Sequence, residues 1–299
     1  MSRANATLLR LMPWVFVLIW STGFVVARYG MPHAPPLTFL SIRYALSVVC
    51  LLLWVVLVRA AWPIGRAQWG HLAVSGVLMH AGYLGGVWAA VKHGIGAGTV
   101  ALLVGLQPVL TAIWITATSA RANAAAAVPA RQWAGLALGM LGLALVVWPK
   151  LGAGEVTPVN LALAIIALLS ITVGTLYQKR FVAPTDVRTA NTVQLLAALA
   201  VSLPFAVFEA ETVRWHPQMV GAMAWSVLVL TLGGSSLLYL LIQRGAATRV
   251  ASLLYLVPPC TACLAWLLFR EPLTAAMFAG MLLTISGVAL VVRTPKAAE

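Results

Sequence analysis

The chain has 299 residues, 62% of them hydrophobic and only 8% charged, with a mean hydropathy of +0.97. No water-soluble domain hides that much apolar surface, so the solvent must be lipid. The net charge of +13 would suit nucleic acid if it formed a patch, but the basic residues are spread over the connections between apolar segments, and nucleic acid is not needed to explain them.

A helix needs roughly 20 mostly apolar residues to cross the hydrocarbon core. Ten segments meet that rule, at about 12–28, 37–58, 70–91, 97–117, 132–149, 158–178, 190–208, 218–242, 248–268 and 274–292. The connections are short, which excludes an attached soluble enzyme domain. Residues 1–27 resemble a signal peptide with Val25-x-Ala27 as the cleavage site, but the repeat described below requires segment 1 as an uncleaved helix.

In chain order, segment 1 offers Trp20 and Ser21. Segment 2 holds Arg43, the one formal charge well inside a segment. An intramembrane charge is costly and is a functional candidate by default. The competing reading, which we take as the working expectation, is a structural charge that bonds carbonyls or reaches the interface. Segment 3 places His80 and Tyr83 on one face. In segment 4, Gln107, Thr111, Trp114 and Thr118 share a side, and Pro108 frees a backbone carbonyl beside them.

Segment 6 carries Ser170, Gly174, Tyr177 and Gln178 on one face, and segment 8 carries Ser235, Tyr239 and Gln243 at i, i+4 and i+8. Segment 9 offers Ser252, Tyr255 and Trp266 around Pro258-Pro259, a double break expected to act as a helix hinge. Cys260-x-x-Cys263 has metal-ligand spacing, but no further ligand is in view, so the cysteines read as packing residues and no metal site is expected. Each polar candidate has a plainer alternative: interhelical hydrogen bonding for Ser, Thr and Gln, and interface anchoring for Trp and Tyr.

Two stretches repeat. Gly135-Leu-Ala-Leu-Gly-Met-Leu-Gly-Leu-Ala-Leu-Val-Val147 returns 145 residues later as Gly280-Met-Leu-Leu-Thr-Ile-Ser-Gly-Val-Ala-Leu-Val-Val292. Segments 4 and 9 match at an offset of 150, with Val100/Val250, Leu103/Leu253, Pro108/Pro258 and Thr111/Thr261 in register. The chain therefore reads as two units, 1–150 and 151–299, of five crossings each. An odd number of crossings inverts the second unit, the arrangement of secondary transporters. Loop charge agrees. Thirteen basic residues fall on one side and five on the other, which predicts that both termini are cytoplasmic. The small residues of the repeated helix, Gly135, Gly139, Gly142, Gly280, Thr284 and Gly287, read as a packing stripe.

Pro35-Pro36-Leu37-Thr38-Phe39-Leu40-Ser41-Ile42-Arg43-Tyr44 resembles the second-helix signature of EamA-type proteins in the drug/metabolite transporter superfamily. Leu268-Phe269-Arg270-Glu271-Pro272-Leu273-Thr274, followed by the Gly280–Val292 helix, resembles that family's terminal signature. The general look is closest to the aromatic amino-acid exporter (YddG-like) branch. The resemblance implies an all-α polytopic membrane protein, ten transmembrane helices in two inverted halves, and movement of small metabolites or amino acids, usually outward. The Ala-rich stretch 118–130 departs from it where many relatives repeat the acidic turn.

The expected function is facilitated export of amino acids, including aromatic ones, by alternating access in a bacterial inner membrane. The partners are the small-molecule cargo and membrane lipid. Neither a cofactor nor enzymatic activity is expected, and a monomer is the default. All six acids, Glu155, Asp186, Glu209, Glu211, Glu271 and Glu299, sit in loops or at segment ends. A proton relay, the rival reading as a proton-coupled drug or metabolite antiporter, would then have to use His80. An intramembrane serine protease built on Ser235 with His80 lacks the glycine that should follow the nucleophile and lacks an orienting acid.

Overall fold

The computed structural model describes residues 3–122, 130–234, 237 and 256–292. Their regular structure is helical: α1 Arg3–Gly30, α2 Pro36–Val58, α3 Arg66–Lys92, α4 in two pieces, Ala97–Val104 and Gln107–Ala122, α5 Ala130–Gly152, α6 Pro158–Phe181, α7 Val187–Ala206, α8 Pro217–Gly234, α9 Val257–Phe269 and α10 Ala275–Val292. Among the described residues, seven helical stretches are long and apolar enough to cross a bilayer. Trp14–Gly30, Val257–Phe269 and Ala275–Leu290 are apolar but shorter.

The local chemistry explains the helix ends. Proline occupies the first turn of α2, α6, α8 and α9, where its missing N–H has no partner to lose. Thr157 and Asn160 form a reciprocal capping box at the start of α6. Asp186 caps α7 by accepting from Arg188 N. Arg59 and Arg270 end α2 and α9 in the left-handed conformation, at φ 51° and 56°.

Three helices are irregular inside. In α3 the residues Val77–Gly82 form a π-helical stretch between the α-helical pieces Arg66–Gly76 and Tyr83–Lys92. In α8 a second π-helical stretch, Ser226–Gly234, follows Pro217–Trp225. Thr231 Oγ1 donates to the Ser226 carbonyl five residues back at 2.9 Å, which supports the widened turn. α4 breaks at Gly105-Leu106, immediately before Gln107-Pro108. The Pro108 ring removes a backbone donor and crowds the carbonyl of Val104, so the helix restarts there. Pro258 and Pro259 sit in the first described turn of α9, and the part of segment 9 before Leu256 lies outside the described residues.

Packing follows small residues. α5 lies along α10 and α2 along α7, while α3 contacts α6 and α7, and α4 contacts α6 and α9. α1 contacts α8 and α9, and α2 contacts α8. Exchanging α1–α5 with α6–α10 maps this set of contacts onto itself: α5–α10, α2–α7 and α4–α9 are unchanged, and the other six interchange in pairs. The α5–α10 seam is a close approach: a Cβ on Gly287 would stand 2.5 Å from the Gly135 carbonyl oxygen. Without a hydrophobic drive between helices in lipid, such backbone contact supplies the dispersion that holds the pair.

The two ends of the bundle differ chemically. Glu155, Glu209, Glu211 and Glu271 lie at one end, called here the acidic end. At it, Glu209 accepts from Leu37 N, Thr38 N and Thr38 Oγ1 at 3.0, 2.7 and 2.8 Å. These are the first free N–H groups of α2, where the helix dipole favours a carboxylate. Lys92 pairs with Glu211 and also donates to the Met31 carbonyl at 3.0 Å. The opposite, basic end is tied by Gln68 donating to Ala183 O at 3.1 Å and by Thr189 Oγ1 donating to Ala61 O at 2.9 Å.

Candidate functional site

The interrupted helices surround a cavity with two adjoining lobes. The first, of about 90 Å³, is lined by Trp20, Gly23 and Phe24 of α1, Arg43 of α2, Met79, His80, Tyr83, Leu84, Val87 and Trp88 of α3, Ile171 of α6, and Leu230 and Thr231 of α8. The second, of about 120 Å³, shares Trp20, Phe24, Met79, Tyr83 and Ile171, and adds Ala101, Val104, Gly105, Gln107, Pro108, Thr175, Val257 and Pro258. Both π-helical stretches, the break of α4 and the first described turn of α9 contribute to its walls. Helices interrupted around a buried site are the signature of a transport pathway, because freed backbone groups are tolerated there and nowhere facing lipid.

The lining is mostly apolar, with aromatic surface from Trp20, Phe24, Tyr83 and Trp88 and polar atoms from Arg43, His80, Gln107, Thr175 and Thr231. Arg43 is 7% exposed, and its Nη2 donates to Thr231 Oγ1 at 3.3 Å. Its guanidinium carbon stands 6.0 Å from the centre of the Trp88 ring. Tyr44, beside it, turns away and donates to the His80 carbonyl at 2.9 Å. Gln107 donates to Thr175 Oγ1 at 3.3 Å, tying the restart of α4 to α6.

At the acidic end, carboxylates cap the start of α4. Glu155 and Glu271 accept from Gly96 N and Ala97 N, at 3.3 and 3.2 Å, capping the first piece of α4. Lys150 donates to Glu155 at 2.6 Å and to Thr99 Oγ1 at 2.8 Å, and Arg28 lies 3.9 Å from Glu271. A Cβ on Gly96 would meet both carboxylates at 2.9 Å, so the double cap depends on a glycine there.

The structure gathers some sequence candidates and sends others elsewhere. Trp20, His80, Tyr83, Gln107, Pro108 and Pro258 line the cavity. Arg43, expected to be a structural charge, lies on the cavity wall as well. Ser21 is buried against α9, where it accepts nothing from the cavity; its hydroxyl donates to Val17 O at 2.7 Å. Thr111 is half-buried on α4, and its hydroxyl has no hydrogen-bond partner. Ser170 lies against Gly82 on the α3 side of α6. Tyr177 and His71 share a 2.8 Å hydrogen bond near the basic end, and Gln178 accepts from Gln194 at 3.4 Å. Pro259 starts α9 and Trp266 points outward, 53% exposed. Ser235, Tyr239, Gln243 and Tyr255 lie outside the described residues.

Sequence reasoning passed over Phe24, Met79, Trp88, Thr175 and Thr231. A signal existed for Trp88, which falls at i+8 from His80 and belongs to one helical stripe with it. Thr231 carried none, because its direction depends on the π-helical turn.

Apolar helices able to cross a bilayer, broken at the walls of an internal cavity, define a polytopic membrane protein of transport architecture. The EamA-like transporter family model matches residues 11–148 and again 159–293, and the chain belongs to that family. Among its relatives, the "Uncharacterized transporter YvbV" of Bacillus subtilis (strain 168) is 25% identical over 94% of this chain and 90% of that protein. The "Probable amino-acid metabolite efflux pump" of Escherichia coli (strain K12) is 24% identical over 96% and 94%. A solved crystal structure superposes with a TM-score of 0.63 at 18% identity, covering 97% of this chain and 96% of that one, and thereby shares the fold.

Proposed function

We propose that the protein exports small metabolites, foremost amino acids including aromatic ones, across a bacterial inner membrane by facilitated diffusion. The observation that carries this reading is the cavity itself. It is enclosed by helices of both sequence units and walled by Trp20, Phe24, Tyr83 and Trp88, with polar atoms at a few fixed points. Such a lining suits a compact body with a flat apolar part and a polar end. The name of the Escherichia coli relative, an amino-acid metabolite efflux pump, agrees with it.

Alternating access is the mechanism we assign, with ten crossings in two inverted units, 1–150 and 151–299, and both termini cytoplasmic. Three observations support it: the loop-charge asymmetry, the exchange of helix contacts between α1–α5 and α6–α10, and the family model's two matched ranges. On this orientation the acidic end faces outward, and its carboxylate caps hold the cavity shut on that side. Opening it requires Glu271 to release α4 while the basic end closes.

No Asp or Glu is among the described residues lining the cavity, so exchange of a proton for cargo would fall to His80. Counterflow of radiolabelled L-phenylalanine in proteoliposomes tests the proposal. Flux unchanged when the pH gradient is collapsed is the expected result. Strict dependence on the gradient would establish the proton-coupled antiporter instead, and the absence of any amino-acid flux would overturn the assignment.

A further inference from the structure

Among the described residues, no carboxylate pairs with Arg43. A guanidinium carries five N–H donors. Among the described residues it makes one hydrogen bond, the 3.3 Å contact to Thr231 Oγ1, and its buried Nε has no partner. The Trp88 ring 6.0 Å away adds attraction but accepts no hydrogen bond of carboxylate strength. The acids do not help. Glu155, Glu209, Glu211 and Glu271 are engaged at the acidic end, Asp186 is paired with Arg188, and Glu299 is at the C-terminus. Residues 235–255 contain no Asp or Glu. A lone cation in a membrane-embedded wall is expensive unless an anion comes to it.

We propose that Arg43 is the receptor for the cargo's carboxylate, so that the cavity selects small monocarboxylates with an apolar or aromatic body. This rests on the cavity being the transport site. A carboxylate is planar and accepts two parallel N–H bonds from one guanidinium, which a single hydroxyl such as Thr231 cannot match. Thr231 already spends its own proton on the Ser226 carbonyl, so it offers Arg43 only a lone pair. One arginine fits one negative charge. A phosphate dianion would call for a second cation, and neither lobe has another Lys or Arg among its described lining residues. An amine cation would be repelled by Arg43. The sequence reading of Arg43 as a helix clamp predicts saturated hydrogen bonding to carbonyls, which the described contacts lack.

The test uses the full-length purified protein and four probes of one shape: 3-phenylpropionate, L-phenylalanine, L-phenylalanine amide and phenethylamine. Binding is read from intrinsic tryptophan fluorescence, with thermal shift as a second readout. The two carboxylates are expected to bind at least about tenfold more tightly than the amide and the amine. Arg43→Gln is expected to abolish that preference, and Arg43→Lys, which keeps the charge without the planar fork, to leave part of it. Equal binding of acid and amide, binding of none of the four, or a preference that survives in Arg43→Gln would overturn the assignment. The probe series on the unaltered protein decides the question even where a variant does not fold. Flux in proteoliposomes is scored separately. Carboxylate-selective binding without flux removes the transport reading and leaves the Arg43 site standing, whereas flux without carboxylate preference does the reverse.

Discussion

Gly142 of α5 and Gly280 of α10 face each other reciprocally: a Cβ built on either would stand 2.5 Å from the carbonyl oxygen of the other. The two backbones come into direct contact beside the Val146 and Thr284 side chains, and each glycine comes from its own copy of the repeated helix. Gly142→Ala or Gly280→Ala must push the helices apart, at a cost of about 1–3 kcal/mol. Gly221→Ala on α8 is the control, since a Cβ there meets nothing within 4 Å. It should be neutral or stabilise by about 0.5–1 kcal/mol through helix propensity. Thermal unfolding in a fixed detergent reads all three, and seam variants that melt at the same temperature as Gly221→Ala would contradict the seam.

The α2 cap makes a second prediction. Glu209 alone satisfies two backbone donors and a hydroxyl at the start of that helix. Glu209→Ala should cost about 0.5–2 kcal/mol, and Glu209→Gln less, because an amide oxygen still accepts. The order of melting temperatures, unaltered above Gln above Ala, is the measurable outcome.

Closure of the acidic end depends on Gly96. Replacement by Ala sets a methyl group against the Glu155 and Glu271 carboxylates, each 2.9 Å away, and should dislodge one of them from α4. The expected result is faster reaction of a thiol reagent with a cysteine placed at Thr99, applied from the side where Arg28 and Lys92 lie. Unchanged labelling would show that the double cap does not control access.

At the basic end, Asp186 accepts from Arg188 through N, Nε and Nη2 at 2.9, 2.9 and 2.6 Å. The side-chain bond to Arg188 holds its carboxyl below the ordinary value of 3.8, against a smaller opposing effect of burial. A depressed folded-state value means the stabilisation is full above the unfolded value and fades as pH falls through the folded one. The pair is partly exposed, so the contribution is small and partly screened by salt. Melting curves of Asp186→Asn should therefore lie slightly below those of the unaltered protein near pH 6 and converge with them as the pH falls well below the ordinary value of 3.8. A gap that widens on acidification would reverse the sign and refute this.

His80 supplies a test of energy coupling. On the facilitator reading, His80→Gln changes cargo affinity, because the ring lines the cavity, and leaves counterflow equally insensitive to a pH gradient. If the unaltered protein responds to the gradient and the variant does not, His80 is a proton carrier.

Much of the architecture was legible in one dimension. Every apolar segment that can be followed in the described residues coincides with a helix, because lipid demands internally satisfied backbone and makes length and hydropathy decisive. The repeated glycines read as packing residues and are found in backbone contact. The site was legible in part. His80, Tyr83 and Gln107, which line the cavity, were read from helical periodicity, which assumes regular α-turns. That assumption fails in Val77–Gly82 and Ser226–Gly234, where the π-helical turns re-aim the side chains that follow.

What the sequence determined alone is the solvent, the apolar segments, the recurrence of the Gly135–Val147 stretch at Gly280–Val292 and the placement of nearly all charge outside those segments. These depend on composition and spacing along one chain. Tertiary structure decided which polar groups meet. It sent Tyr177 to His71 and Gln178 to Gln194, turned Trp266 outward, and set Arg43 on the cavity wall against Thr231 with most of its donors unspent. A hydrogen-bond partner 188 positions away leaves no trace in local periodicity, and only the folded chain shows whether a buried charge has been answered.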